Sequence, residues 1–234
     1  MTKKVKIVLA DDEVLFRGVM KNMLENTGDY QVLYDVGNGL ELTKKLENAK
    51  DDDFPDLILM DLKMPELNGI EATKIIAKKH PDLKIVALTT HKGKSFIINM
   101  LNLGAAGYIT KSCSPEEMLD TLKEVVRKGF YYSEEVMQVI NENFQKGNKK
   151  NRLSMLDANF ITKREKEVLL LLCKQFKTQE IAEQLFLSER TVEGHRNNLL
   201  GKTNSKNVVG LIVYGLQHGI IELSDLVNPL GHED

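Results

Sequence analysis

Five polar residues stand where short apolar runs stop. Asp11 and Asp12 follow "VKIVLA", Asp61 follows "DLILM", Thr89 closes "KIVALT" and Lys111 follows "AGYIT". Two carboxylates about 4 Å apart repel by a few kcal/mol even at an effective dielectric near 20. A site that gathers such acids therefore raises a carboxyl pKa or takes up a cation. Three carboxylates beside one lysine form a hard-oxygen site, and its natural filler is a small divalent ion that keeps several waters, Mg2+. With that ion the group is formally neutral. The same arrangement suits phosphoryl transfer onto a carboxylate, because the cation and the lysine neutralise charge on the transferred oxygens. Asp61 is the candidate nucleophile. Taken singly, each residue also reads as a helix cap, a strand end or ordinary surface; five of them at successive strand ends point to a site.

The elements that must position them follow from patterning. These runs, with "QVLYDV" between the first and second, are β-branched and nearly continuous in apolar character, as in a parallel sheet covered on both faces. Helical spacing alternates with them. Val14, Met20, Met23 and Leu24 share one stripe, Ile70, Ile75 and Ile76 another, and Met118, Leu119, Leu122, Val125 and Val126 a third, with Pro115 in its first turn. Residues 1–130 are thus predicted to form an α/β doubly wound five-stranded parallel sheet with five helices. Ligands of such sheets sit beyond the carboxyl ends of the strands.

Residues 131–158 read as one more helix, with a stripe of Val136, Val139, Ile140 and Phe144, and then a polar basic linker, "KGNKKNRLSMLDAN". Residues 159–219 read as four short helices. Thr162 to Glu165 fits a capping box, Thr178 and Ser188 can cap the second and third helices, and the fourth runs from about 206 to 218. The inner faces are Val168, Leu169, Leu171 and Leu172, then Ile181, Ala182 and Leu185, then Val192, Leu199 and Leu200. Residues 220–234 form a C-terminal tail with little pattern. A chain of 234 residues is comfortable for two domains, and a formal charge of −2 leaves any nucleic-acid surface local rather than global. Cys113 and Cys173 suggest neither a disulfide framework nor a zinc cluster, and His80, His91, His195, His218 and His232 lack metal-ligand spacing. No apolar stretch approaches the roughly 20 residues of a membrane span, so the expected location is cytoplasmic.

The segments "LADDEVLFRGVM", "DLILMDLKMPELNGIEATK", "IVALTTH" and "GAAGYITKS" together resemble the flavodoxin-like receiver domain of two-component response regulators. The spacings from Asp61 to Pro65, Gly69 and Thr89, and from Thr89 to Tyr108 and Lys111, fit that family. The resemblance implies that Asp61 accepts phosphate from a phosphohistidine on a sensor histidine kinase. It also implies that Asp12, Asp61 and the Lys63 backbone carbonyl hold Mg2+ directly, with Asp11 acting through water. Thr89 and Lys111 would engage the phosphoryl oxygens, Tyr108 would be the aromatic switch, and Lys63 and His91 would tune dephosphorylation. A phosphohydrolase built on a similar sheet usually needs a second carboxylate two residues after its nucleophile. Lys63 stands there, which favours a regulator over an enzyme.

The stretch "ITKREKEVLLLLCKQFKTQEIAEQLFLSERTVEGHRNNLLGKTN" resembles the LuxR/GerE-type helix-turn-helix domain of NarL/FixJ-class regulators. On charge alone the domain is ambiguous: nine bases and six acids over residues 162–206 give only +3, which suits a bundle that binds a protein equally well. The resemblance implies a phosphorylation-dependent transcription regulator that binds double-stranded DNA. It puts Thr191, Glu193, Gly194 and Asn197 on the groove-facing side and Thr178, Arg190, Arg196 and Lys202 on phosphates. Glu193 and Gly194 stand where many relatives carry a basic and an apolar reader, so Glu193 is suited to accept from a cytosine amino group. Thr203 follows Lys202 where leucine is more usual. The fourth helix would support a homodimer through Val209, Ile212 and Val213, reading an inverted repeat in promoter DNA.

Overall fold

The computed structural model describes residues 4–50, 53–90, 93–147 and 161–227, apart from the side chains at 144–147, 224 and 227. Contacts divide the chain after Val136 into two compact units. In the first, the apolar runs become β1 (Val5–Ala10), β2 (Tyr30–Val36), β3 (Leu57–Asp61), β4 (Lys84–Thr89) and β5 (Gly107–Thr110). All pair in parallel, in the order β2-β1-β3-β4-β5. The connections are α1 (Val14–Asn26), α2 (Gly39–Asn48), α3 (Gly69–Lys79), α4 (Lys94–Asn102) and α5 (Pro115–Lys128). The order reverses between β1 and β3, and right-handed crossovers then put α1 and α5 on one face and α2, α3 and α4 on the other. Every residue of β3 is buried, as its continuous apolar run requires. One side of the core joins Val8, Ala10, Ile58, Met60 and Ile85 to Leu42, Leu46, Ala72 and Ile76.

The helices start where capping chemistry says they should. Asn38, Asn68 and Ser114 each accept a hydrogen bond from the amide three residues on, and Pro115 opens α5, which ends at Gly129 with φ +90°. The inner faces differ from the predicted stripes at two positions. Val14 is 73% exposed and Ile75 37% exposed, while Met20, Leu24 and Ile76 carry the buried faces. The first turn of α1 rises past the carboxyl edge of the sheet, so no strand lies beneath Val14.

Across the division, α6 (Glu134–Gly147) buries Val136, Val139 and Ile140. The Phe144 side chain lies outside the described residues, as do 148–160, which hold most of the expected linker, and 228–234. The second unit then builds α7 (Lys163–Cys173), α8 (Thr178–Leu185), α9 (Glu189–Thr203), α10 (Val208–Gln217) and the short α11 (Ser224–Val227). The capping box is formed: Glu165 N–H donates to Thr162 Oγ1 at 3.2 Å and Thr162 N–H to Glu165 Oε2 at 2.8 Å. Ser188 caps α9 by accepting from the Thr191 amide at 3.1 Å. Thr178 does not cap α8. It is the first helical residue, and the Lys177 amide before it donates to the Glu180 carboxylate at 2.6 Å, an acidic side chain at the positive end of the helix.

Two further expectations change in this unit. Val209, Ile212 and Val213 are 3%, 4% and 6% exposed, and α10 packs on α7 and α9. The apolar face expected to serve a second copy is therefore consumed within the single chain. Residues 220–227, expected as tail with little pattern, pack into the unit: Ile221 and Leu226 are buried and α11 packs on α7. Gly215 admits this return, since a Cβ there would stand 2.8 Å from Ile221.

Candidate functional site

The sheet delivers Asp11 and Asp12 to the loop after β1 and ends β3 on Asp61. One carboxylate oxygen from each lies within 4.8 Å of the others, with Asp11 and Asp61 buried and Asp12 exposed. Lys111, just after β5, brings Nζ to 2.7 Å from Asp11 Oδ2 and 2.8 Å from Asp61 Oδ2, its side chain only 7% exposed. Backbone amides hold the remaining oxygens: Glu13 N–H donates to Asp11 Oδ1 at 2.9 Å and Lys63 N–H to Asp61 Oδ1 at 3.1 Å. Gly69 makes the corner tight. A Cβ there would stand 1.8 Å from the Asp61 carbonyl oxygen, so α3 can begin against Asp61 only through glycine.

The electrostatics match the strain expected of adjacent acids, though burial contributes more than the neighbouring charge. Desolvation raises the Asp11 carboxyl above its ordinary value; the Lys111 and Glu13 hydrogen bonds oppose this, and the Asp61 charge adds to it. Burial would lower the Lys111 ammonium, but its bonds to Asp11, Asp61 and Glu13 outweigh burial and hold it above the usual lysine range. Asp11 Oδ2 is buried and, although ion-paired, has no aligned hydrogen bond, which leaves a lone pair for a cation. An all-carboxylate donor set with such an oxygen fits a hard divalent ion.

Thr89 is 1% exposed, and its carbonyl accepts from the Lys111 amide at 2.8 Å, so the β4–β5 ladder ties these two residues together. Tyr108, paired across the sheet with Ala87, is 6% exposed. It is a core residue rather than a rim one, and burial pushes its hydroxyl up to about 12. The Lys63 residue is exposed, and His91 lies outside the described residues. Sequence reasoning missed Glu13 and Phe16. Glu13 Oε1 lies 2.7 Å from Lys111 Nζ, and the Phe16 ring centroid 4.9 Å from it. The available signal was a glutamate at an N-cap position, where Asp, Asn or Ser is preferred.

In the second unit α8 and α9 form the helix-turn-helix pair. Phe186, at φ 54° and 95% exposed, begins the turn between them. Val192 and Leu199 anchor α9 in the core, and Arg190, Thr191, Glu193, Gly194 and Asn197 are exposed on its outer side. Thr178 and Arg196 are half-buried. Thr191 and Lys202 have partners within the unit: Thr191 Oγ1 lies 2.8 Å from Ser188 Oγ, and Lys202 Nζ 2.7 Å from Glu165 Oε2. The end of α9 is settled by Thr203, whose hydroxyl donates to the Leu199 carbonyl at 2.8 Å before Asn204 turns left-handed.

Comparison with known proteins agrees with both units. Residues 7–123 match the response regulator receiver domain, and residues 159–215 match the bacterial regulatory proteins of the luxR family. The transcriptional regulatory protein DegU of Brevibacillus brevis is 30% identical over 231 residues, covering 94% of this chain and 96% of that protein. The oxygen regulatory protein NreC of Staphylococcus aureus (strain JH9) is 32% identical over 220 residues, covering 93% and 100%. The Salmonella typhimurium RcsB response regulator superposes with a TM-score of 0.53 over 90% of this chain and 97% of that one; at 23% identity it speaks to the fold. With a receiver-type sheet, an acidic corner at its switch point and a LuxR-type helix-turn-helix unit, the chain belongs to the two-component response regulators that act as DNA-binding transcriptional regulators.

Proposed function

We propose that Asp61 is the phosphoacceptor of this regulator and takes its phosphoryl group from a phosphohistidine on a sensor histidine kinase. The observation that carries the reading is the meeting of Asp11, Asp12, Asp61 and Lys111 in one corner, with ion pairs of 2.7 and 2.8 Å. In the transfer a carboxylate oxygen of Asp61 bonds to phosphorus while the phosphorus–nitrogen bond to the donor imidazole breaks, and that electron pair leaves with the ring nitrogen. Asp11, Asp12, Asp61 and the Lys63 carbonyl are the groups that would hold Mg2+, which when bound supplies positive charge against the phosphoryl oxygens. Lys111 and the Thr89 hydroxyl donate to those oxygens. Tyr108, on the strand beside Thr89, repacks as Thr89 moves and passes the change to the surface of α4 and β5. Val14, Leu15 and Val19, all exposed on α1 next to the acidic loop, give the kinase an apolar contact.

Phosphorylation favours a homodimer that binds an inverted repeat in promoter DNA, in the cytoplasm. Thr191, Glu193, Gly194 and Asn197 face the bases, while Thr178, Arg190, Arg196 and Lys202 meet phosphates. The match of residues 159–215 to the luxR-family regulatory proteins supports this use of the second unit. Radiolabelled acetyl phosphate with Mg2+ should label the wild type and leave Asp61→Ala unlabelled; label retained on the variant overturns the assignment. Retention of duplex DNA should fall with added salt at a slope near the number of phosphate contacts, whereas no retention at low salt would turn the second unit toward a protein partner.

A further inference from the structure

The Lys111 ammonium has three N–H donors, and oxygens of three carboxylates crowd it. Asp11 Oδ2 stands at 2.7 Å, Asp61 Oδ2 at 2.8 Å and Glu13 Oε1 at 2.7 Å. An incoming phosphoryl oxygen must compete with them for Lys111. Asp11 and Asp61 are 4% and 7% exposed at the side chain, and each has its second oxygen held by a backbone amide. Glu13 is 59% exposed at the side chain and returns to water at the least cost. Its placement also departs from local preference. Glu13 is the N-cap residue of α1, yet its side chain makes no capping hydrogen bond and reaches instead to a lysine 98 residues away.

We infer that Glu13 is a positioning residue that competes with the phosphoryl group for Lys111, a built-in anion that must be displaced before the donor is held. The inference rests on Asp61 being the phosphoacceptor. Removing the Glu13 charge should then tighten binding of a phosphoryl mimic, whereas a change that merely loosened the site would weaken it.

The test measures beryllofluoride affinity of the full chain at saturating Mg2+ by amide NMR, with the second-order rate of labelling by acetyl phosphate, which leaves as acetate. Glu13→Gln should bind beryllofluoride about 2- to 5-fold more tightly, the range expected for loss of a partly exposed ion pair, and should label correspondingly faster. Glu25→Gln, which makes the same charge change on exposed surface of α1, should match the wild type in both measurements. Unchanged or weaker binding by Glu13→Gln, or an equal gain from Glu25→Gln, overturns the role of Glu13. A wild type that takes up neither beryllofluoride nor label overturns the phosphoacceptor reading itself, a separate result.

Discussion

Glu165 illustrates how one side chain serves two elements. It is 2% exposed, closes the capping box of α7 and holds Lys202 of α9. Burial pushes its carboxyl up, but hydrogen bonds from Lys202 and Thr162 outweigh this and hold it below the usual carboxylate value. A depressed folded-state pKa gives stability that is complete above the unfolded carboxylate range, about 4.3, and is lost as pH falls through the folded value. Thermal unfolding of the second unit should therefore show wild-type stability declining from about pH 6 to pH 3 more steeply than that of Glu165→Gln. The variant starts lower by about 1–3 kcal/mol, because it leaves the half-buried Lys202 ammonium without its carboxylate. Parallel pH profiles for the two proteins would refute this account. Lys202 is consequently an internal strut as well as an expected phosphate contact, a double use invisible in a list of basic residues.

Among the elements, α9 carries an unusual economy of side chains. Gly194 and Gly201 lie on its exposed side, and a Cβ built at either meets nothing within 4 Å. Glycine inside a helix costs about 1 kcal/mol relative to alanine, and nothing inside the unit requires it at these positions. Gly194→Ala and Gly201→Ala should each raise the melting temperature of the second unit by a few degrees, in keeping with about 1 kcal/mol. If the bare stripe lets the helix backbone settle against the groove, the same changes should weaken DNA retention. Stabilisation with undiminished retention would show that the stripe faces away from the duplex. The opposite signs separate a binding surface from an accident of composition. Another element-level cost sits before α3, where Glu66 holds φ 62° in a conformation that glycine adopts without strain.

For the whole molecule, moving a two-state balance from 1:99 to 99:1 takes about 5.5 kcal/mol of differential binding. In the proposed switch the phosphoryl group gains two donors, Thr89 and Lys111, each worth about 1.5–3 kcal/mol when charged, a sum that reaches the required value only at the top of its range. The unphosphorylated chain should therefore still retain promoter DNA, more weakly than the beryllofluoride-loaded chain, in titrations of both forms on one fragment. Equal affinities, or none without phosphorylation, would contradict that balance. Strand ends and most caps were legible in the sequence because they depend on neighbours along the chain: Asp61, Thr89 and Lys111 end or follow strands as read, and Ser188 and Thr162 cap as read. What escaped depends on partners far away. Val14 read as core because periodicity does not record where the sheet stops, and Glu13 went unremarked because Lys111 is 98 residues distant. The burial of Val209, Ile212 and Val213 was likewise set by where α7 and α9 lie, not by the stripe itself. With its oily residues kept at home, the end of α10 and its cap expose Gln217 and His218, polar groups for the proposed second copy. In the proposed homodimer, subunits joined through so polar a handshake would part readily, and occupancy of paired half-sites would then climb with the square of protein abundance. How much of the regulator a cell makes would then be a control on its genes alongside the signal it receives.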